Sequence, residues 1–313
     1  MRPLLKRFVA IAGLTLLEAL RQPILLLLTT TCALFILLMP VLLMHTMGES
    51  EKLVQDSALA AHFVGGLLLG GYAASAALGR ELRRGTLATV LSKPVNRELF
   101  FVAKFAGVLG VLALFSIATG IATMLAARMS EEAYAVEWQH IGPPLAAVFL
   151  AYLLAGILNY YQQRPFVSTA FGLLVVFLTA AFVYTVMADH VPWKVLPASI
   201  LVALATVVLA GVAMALITRL ELVPTLALCT VVLLAGLMSD YLLGRIADKN
   251  TLAAIAYYLL PNWQHFWVAD GLMGDNGKIP WVYVRQVAGY SLFYLLGVLS
   301  LGMLSFRNVE TKA

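Results

Sequence analysis

The sequence predicts an all-α polytopic membrane protein, a helical bundle of about six to eight transmembrane helices preceded by an N-terminal interfacial helix. Three observations predict it. Hydrophobic residues make up 62% of the 313-residue chain and charged residues 12%, where a soluble domain carries about 25% charged. Apolar residues gather into runs close to the roughly 20 residues that cross a hydrocarbon core of about 30 Å. Basic residues collect between alternate runs and not evenly along the chain.

The opening stretch, 1–21, resembles a signal peptide in placing Arg2, Lys6 and Arg7 before a short apolar run. Glu18 and Arg21 interrupt that run, no small-residue cleavage site follows, and a full-length apolar run begins at once. The stretch reads instead as a helix lying in the interface, with Leu5, Phe8, Val9, Ala12, Leu16 and Leu20 near one face. Eight apolar stretches follow, at 22–44, 57–79, 99–127, 142–160, 166–187, 198–218, 223–243 and 284–306. The fourth opens on Pro143 and Pro144, tolerated in a first turn because its amides lack helical partners. Only "TRLELVP" separates the sixth from the seventh, so six or seven spans fit as well as eight.

With the N-terminus inside and eight spans, the inner segments hold 14 of the 21 basic residues and 5 of the 16 acidic ones. They carry +9 and the opposite side −4, which places both termini in the cytoplasm. The largest outside segment, 244–283, contains an apolar run too short to span that stops at Pro261. Tyr257, Tyr258, Trp263, Phe266, Trp267 and Trp281 suit a re-entrant or interface-lying helix there. No repeat and no soluble domain interrupts the pattern, so residues 1–313 form a single transmembrane domain.

Several chemistries are excluded. The net charge of +5 is scattered between apolar runs and forms no stripe for nucleic acid. Cys32 and Cys229 each lie inside an apolar run, which supports neither a disulfide framework nor a thiolate metal site. His45, His62, His140, His190 and His265 share no metal-ligand spacing, and no H-E-x-x-H or G-x-S-x-G occurs. A phosphate-cradling loop needs G-x-x-x-x-G-K-[ST]; the nearest fragment, "GLMGDNGKIP", has Leu272 for the first glycine and Ile279 for the hydroxyl. The chain is expected to bind no cofactor and no metal of its own.

The most polar stretch is "GRELRRGTLATVLSKPVNRELFF", residues 79–101, between the second and third apolar runs. Leu87, Val90 and Leu91 fall at i, i+3 and i+4, one apolar stripe on a short helix flanked by Arg83, Arg84 and Lys93. Gly85 can supply a tight bend before it, Pro94 stops it, and Asn96 is placed to cap the next span. From these residues alone the segment is a polar elbow, either presenting a face to the cytosol or merely fixing topology. Glu81, then Gly85-Thr86-Leu87, then Leu91 to Pro94 and Arg97, resembles the E-x-x-x-G-T-L…L-x-x-P-V-S/N-R segment of ABC-2 type transporter permeases. The resemblance extends to the N-terminal helix and to "LLPNWQHFW" before the last run. Short loops and outward segments without glycosylation sequons, together with the family resemblance carried by residues 79–101, favour a bacterial inner (cytoplasmic) membrane.

That resemblance implies a half-transporter whose membrane subunit pairs with a second permease subunit, as homo- or heterodimer, and binds a separate ABC ATPase. ATP and Mg would sit on that ATPase. Residues 80–98 would contain the coupling helix, which inserts into a cleft of the nucleotide-binding subunit. Carried over position by position, Glu81, Arg84, Gly85, Thr86, Leu87, Pro94 and Arg97 are coupling residues, with Arg83, Val90 and Leu91 on the same short helix. The expected function is the permease subunit of an ABC exporter, not itself an enzyme. Family members usually have six spans, fewer than the eight stretches here. Alternatives are an ion-coupled carrier or intramembrane enzyme, and an ABC-like complex that transmits force without cargo.

Two further features stand at membrane depth. Gly66, Gly70, Ala73 and Ala77 form a small-residue stripe on the second span, for helix packing or for a dimer seam. His62 on the same span is a candidate for lining a path, and Asn159, Gln162, Gln163, Arg164 and Asp240 sit near span ends.

Overall fold

The computed structural model describes residues 2–43, 50–79, 81, 96–131, 138–188, 190–247, 250–272 and 277–307, and these form helices with no strand among them. Helix α1 is Arg2–Leu20 and α2 is Pro23–Leu42. Helix α3, Ser50–Ala74, continues into a π turn, Ser75–Gly79. Then come α4 (Arg97–Ser130), α5 (Trp138–Gln162) and α6 (Phe166–Ala188). A 3₁₀ turn, Trp193–Val195, leads into α7 (Leu196–Leu216), followed by α8 (Leu222–Leu237), α9 (Thr251–Leu259) and α10 (Trp281–Arg307). Among the described residues seven helices, α2 to α7 and α10, are long and apolar enough to cross a membrane.

Several hydroxyls within the spans are satisfied locally. Thr119, Thr123 and Thr185 each donate to the carbonyl four residues back, at 2.9, 2.8 and 3.0 Å, as hydrocarbon surroundings require. Small residues then set the packing, since helices in lipid associate by close contact. A Cβ at Gly66 would lie 2.3 Å from Thr206 Cγ2 on α7, and one at Gly70 3.1 Å from Ala210 Cβ. One at Gly65 would lie 2.5 Å from Cys32 Sγ on α2, and one at Gly71 2.3 Å from Leu226 Cδ2 on α8. Helix α3 is therefore enclosed by α2, α7 and α8. One core joins α3, α4, α7 and α10 through Leu59, Phe101, Val208 and Phe306, and a second joins α2, α4, α5 and α6 through Ile36, Leu125, Ala151 and Leu174.

Side-chain links show which helix ends lie together. Tyr72 of α3 donates to Gln22 ahead of α2, and Arg97, opening α4, donates to the Arg307 carbonyl closing α10 at 3.0 Å. Thr218, just past α7, shares a 2.9 Å bond with Ser305 of α10. At the other end Lys194 pairs with Glu51 at 2.7 Å and Lys52 with Asp270 at 3.6 Å. The chain leaves α7 at the first end and enters α10 from the second, so α8 and its continuation make an eighth crossing.

That crossing corrects one expectation. The stretch 223–243 is not one helix: α8 has 16 residues, about 24 Å at the standard rise, and stops at Met238 before a π turn at Asp240–Gly244. The outer segment takes up the remaining depth. A Cβ at Gly236 would lie 2.3 Å from the Pro261 carbonyl oxygen and 2.5 Å from the Trp263 ring, and Trp263 Nε1 donates to the Val232 carbonyl at 3.3 Å. Pro143 and Pro144 also differ from expectation. Helix α5 starts at Trp138, so both stand inside it, at the cost of only the bonds to the Gln139 and His140 carbonyls.

Helix α1 turns part of its apolar face to the bundle and part away from it. Phe8, Ile11, Ala12, Thr15 and Leu16 are at least partly buried, while Leu5 and Val9 are 65% and 59% exposed. Gly107 and Gly110 on α4 are the cause. A Cβ at Gly107 would lie 2.5 Å from Thr15 Cβ, and one at Gly110 3.3 Å from Leu16. These two glycines form a shallow channel for α1, leaving Leu5 and Val9 for the apolar phase.

Candidate coupling site

The elbow begins where the π turn of α3 ends. Of the expected coupling residues, Glu81 and Arg97 are described, whereas Arg83, Arg84, Gly85, Thr86, Leu87, Val90, Leu91 and Pro94 lie outside the described residues. Both described residues are tied into the bundle. Lys104 Nζ donates to Glu81 Oε1 at 2.7 Å, with 4% of the Lys104 side chain and 25% of the Glu81 side chain exposed. The ammonium also stands 5.4 Å from the centre of the Phe100 ring, whose face attracts a cation. Glu81 Oε2 is buried without a hydrogen-bond partner.

Arg97 begins α4, and its guanidinium holds the last carbonyl of α10. Next to that bond Phe306 lies 6.4 Å from Phe100 and 5.7 Å from Phe101, centre to centre. Arg219, after α7, donates to Ser305 Oγ at 3.0 Å and to its carbonyl at 3.1 Å. The two ends of the elbow thus reach the start of α4 and, through α10, the end of α7. Asn96 takes the extended backbone of an N-cap, φ −61° and ψ 135°, but its side chain makes no capping bond.

Residues 19–191, more than half of the chain, match the model of a family described as ABC-2 family transporter protein. The chain belongs to the ABC-2 transporter family. It is a multi-pass membrane protein of the permease kind, the transmembrane subunit of an ABC transporter system, which in general includes an ATPase partner. The matched stretch runs from the last turn of α1 through α6 and contains all of 80–98. No curated protein and no solved structure matches this ABC-2 permease.

Lys104 is the residue of this site that the sequence reading missed as a site residue, counting it only among the topology-setting cations. Its signal was there: a lysine inside the apolar stretch 99–127 needs a partner. His62 is completely buried. Its Nε2 lies 3.0 Å from Ser116 Oγ of α4, and its ring meets Phe115 edge-on at 5.7 Å. The small-residue stripe of the ABC-2 permease is buried within the chain. Gly66 and Gly70 meet α7, and Ala73 and Ala77 lie in a cluster with Leu25, Val108 and Phe171. Among the described residues no group of His, Cys, Asp and Glu is placed to hold a metal ion.

At the opposite end Asp240 organises the outer segment. It accepts from the Tyr257 hydroxyl at 2.7 Å and from Asn262 Nδ2 at 3.0 Å, and the Asn262 amide donates to the Tyr290 hydroxyl at 3.1 Å. The bond to Asp240 raises the Tyr257 pKa above its usual value, helped by burial and by the carboxylate's charge. Asn159, Gln162, Gln163 and Arg164 form the exposed turn between α5 and α6, where Gln163 takes φ 55° and Asn159 Nδ2 caps the Arg164 carbonyl at 2.6 Å.

Proposed function

We propose that this chain is the permease subunit of an ABC exporter, working as a dimer in a cytoplasmic (inner) membrane with both termini in the cytosol. A separate ATPase binds ATP and Mg and grips the elbow at 80–98. Closure of the ATPase pair displaces the short helix around Thr86 to Leu91, and the displacement passes to α3 and α4 through Glu81 and Lys104 and to α10 through Arg97. Arg83 and Arg84 favour an acidic rim on the ATPase, which speeds and orients encounter more than it tightens binding. The observation that carries this reading is the attachment of both ends of the elbow, at Glu81 and Arg97, to different transmembrane helices.

The test is co-purification of the ATPase. Deleting 83–94, or the pair Arg83→Glu and Arg84→Glu, should release the ATPase while the permease still inserts. Retention of the ATPase by both variants would refute the coupling assignment. The purified permease alone should neither bind nor hydrolyse ATP.

A further inference from the structure

Helix α10 keeps one flank uncovered. Phe293, Leu296, Leu301 and Leu304 are each more than half exposed, Leu304 by 59%, and they run from the middle of the helix to its last turn. Two arginines bracket the end of that flank. At about 100° per residue, Leu301 and Leu304 fall on the arc between Ser305, which faces α7, and Arg307, which closes the helix. Arg219 attaches at Ser305, so a guanidinium stands at each edge.

Both arginines are exposed, and among the described residues neither has a carboxylate partner. Lys52, Lys104 and Lys194 differ in this, each being paired with an acid. Arg219 donates only to the Ser305 hydroxyl and carbonyl, and Glu221, two residues on at the start of α8, makes no ion pair with it. The Arg307 side chain makes no hydrogen bond among the described residues. A guanidinium has more donors than the two Arg219 spends, and its planar fork matches a phosphate. The end of a helix ordinarily repels an anion through its free carbonyls. Here the Ser305 and Arg307 carbonyls are already bonded, by Arg219 and Arg97.

We infer that this end of α10 holds one anionic phospholipid, its phosphate between Arg219 and Arg307 and its acyl chains along Leu301, Leu304 and the flank up to Phe293. Basic side chains where a span meets the headgroups attract anionic lipid. A zwitterionic lipid would bring an ammonium to the same two cations, and free phosphate would gain nothing from the leucines. The inference needs α10 to span the bilayer, but neither the ATPase nor a choice of side.

The full chain in non-ionic detergent would be titrated with phosphatidylglycerol and with phosphatidylcholine of the same acyl chains, and bound lipid read by native mass spectrometry. One phosphatidylglycerol should bind at least about fivefold more tightly than phosphatidylcholine, and inorganic phosphate should not displace it. Arg307→Gln removes no side-chain bond of the fold and should weaken phosphatidylglycerol about fivefold; with Arg219→Gln added, the loss should reach about 25-fold. Arg164→Gln, in the exposed turn between α5 and α6, should change nothing. Equal binding of the two lipids, displacement by phosphate, an unchanged affinity in Arg307→Gln, or an equal loss in Arg164→Gln would overturn the inference. So would a double variant that keeps phosphatidylglycerol but loses the ATPase in co-purification, since the surface would then serve a protein. No ATPase is present in the titration, so failure there leaves the coupling reading standing.

Discussion

Lys104 and Glu81 form a 2.7 Å ion pair that fastens the first residues beyond the π turn of α3 to the start of α4. With Lys104 almost fully buried, removal of either partner strands the other charge. Lys104→Met or Glu81→Leu alone should lower stability by about 3 kcal/mol, and the double variant should recover most of it because no lone charge remains. Thermal melting of the three variants in nanodiscs checks this; single variants as stable as the parent would contradict it.

Gly66 leaves no space for a methyl group against α7. Gly66→Ala should cost about 1–3 kcal/mol, since Thr206 Cγ2 stands 2.3 Å from the added carbon and helix backbones must part. Thr206→Ala in the same chain should restore part of the loss. Gly70→Ala should be milder, because its contact with Ala210 is 3.1 Å and a small shift relieves it. Unfolding in detergent mixtures ranks the three.

The outer clasp should be sensitive to alkali. The Tyr257 hydroxyl donates to Asp240, so its pKa is raised in the folded chain, and its contribution is complete below the ordinary tyrosine value near 10 and lost as pH rises through the higher folded value. Hydrogen exchange at 257–266 should accelerate on that rise in the parent. Tyr257→Phe should exchange faster at neutral pH and show a smaller alkaline step.

Orientation can be read by labelling. In a chain with Cys32 and Cys229 replaced by alanine, Asp270→Cys should react with a membrane-impermeant maleimide in intact cells. Gln163→Cys, in the exposed turn between α5 and α6, should react only after permeabilisation. The reverse pattern would invert the proposed topology.

Much of the bundle is legible in composition. Leu, Val and Ala runs long enough to cross hydrocarbon are helical almost regardless of neighbours, and α2 and α6 begin and end close to the expected 22–44 and 166–187. Helix α3 starts earlier than expected because Glu51 and Lys52 are held by Lys194 and Asp270, partners supplied by distant parts of the chain. The break after α8 is illegible for the same reason, since the stretch to 243 is apolar but for a few residues such as Ser239 and Asp240, and the packing of Trp263 on Gly236 comes from a distant part of the chain. At the coupling site, the resemblance to the family segment marks Glu81 and Arg97. Their anchors, Lys104 and the Arg307 carbonyl, come from folding, the second from 210 positions away.

The π turn at Ser75–Gly79 leaves one surplus residue in the wall of the bundle immediately ahead of the elbow. Such slack can be handed to a neighbouring turn, and each residue passed along swings whatever follows by about 100° without setting an amide loose in hydrocarbon. A tug on the elbow would then arrive among the helices as torsion.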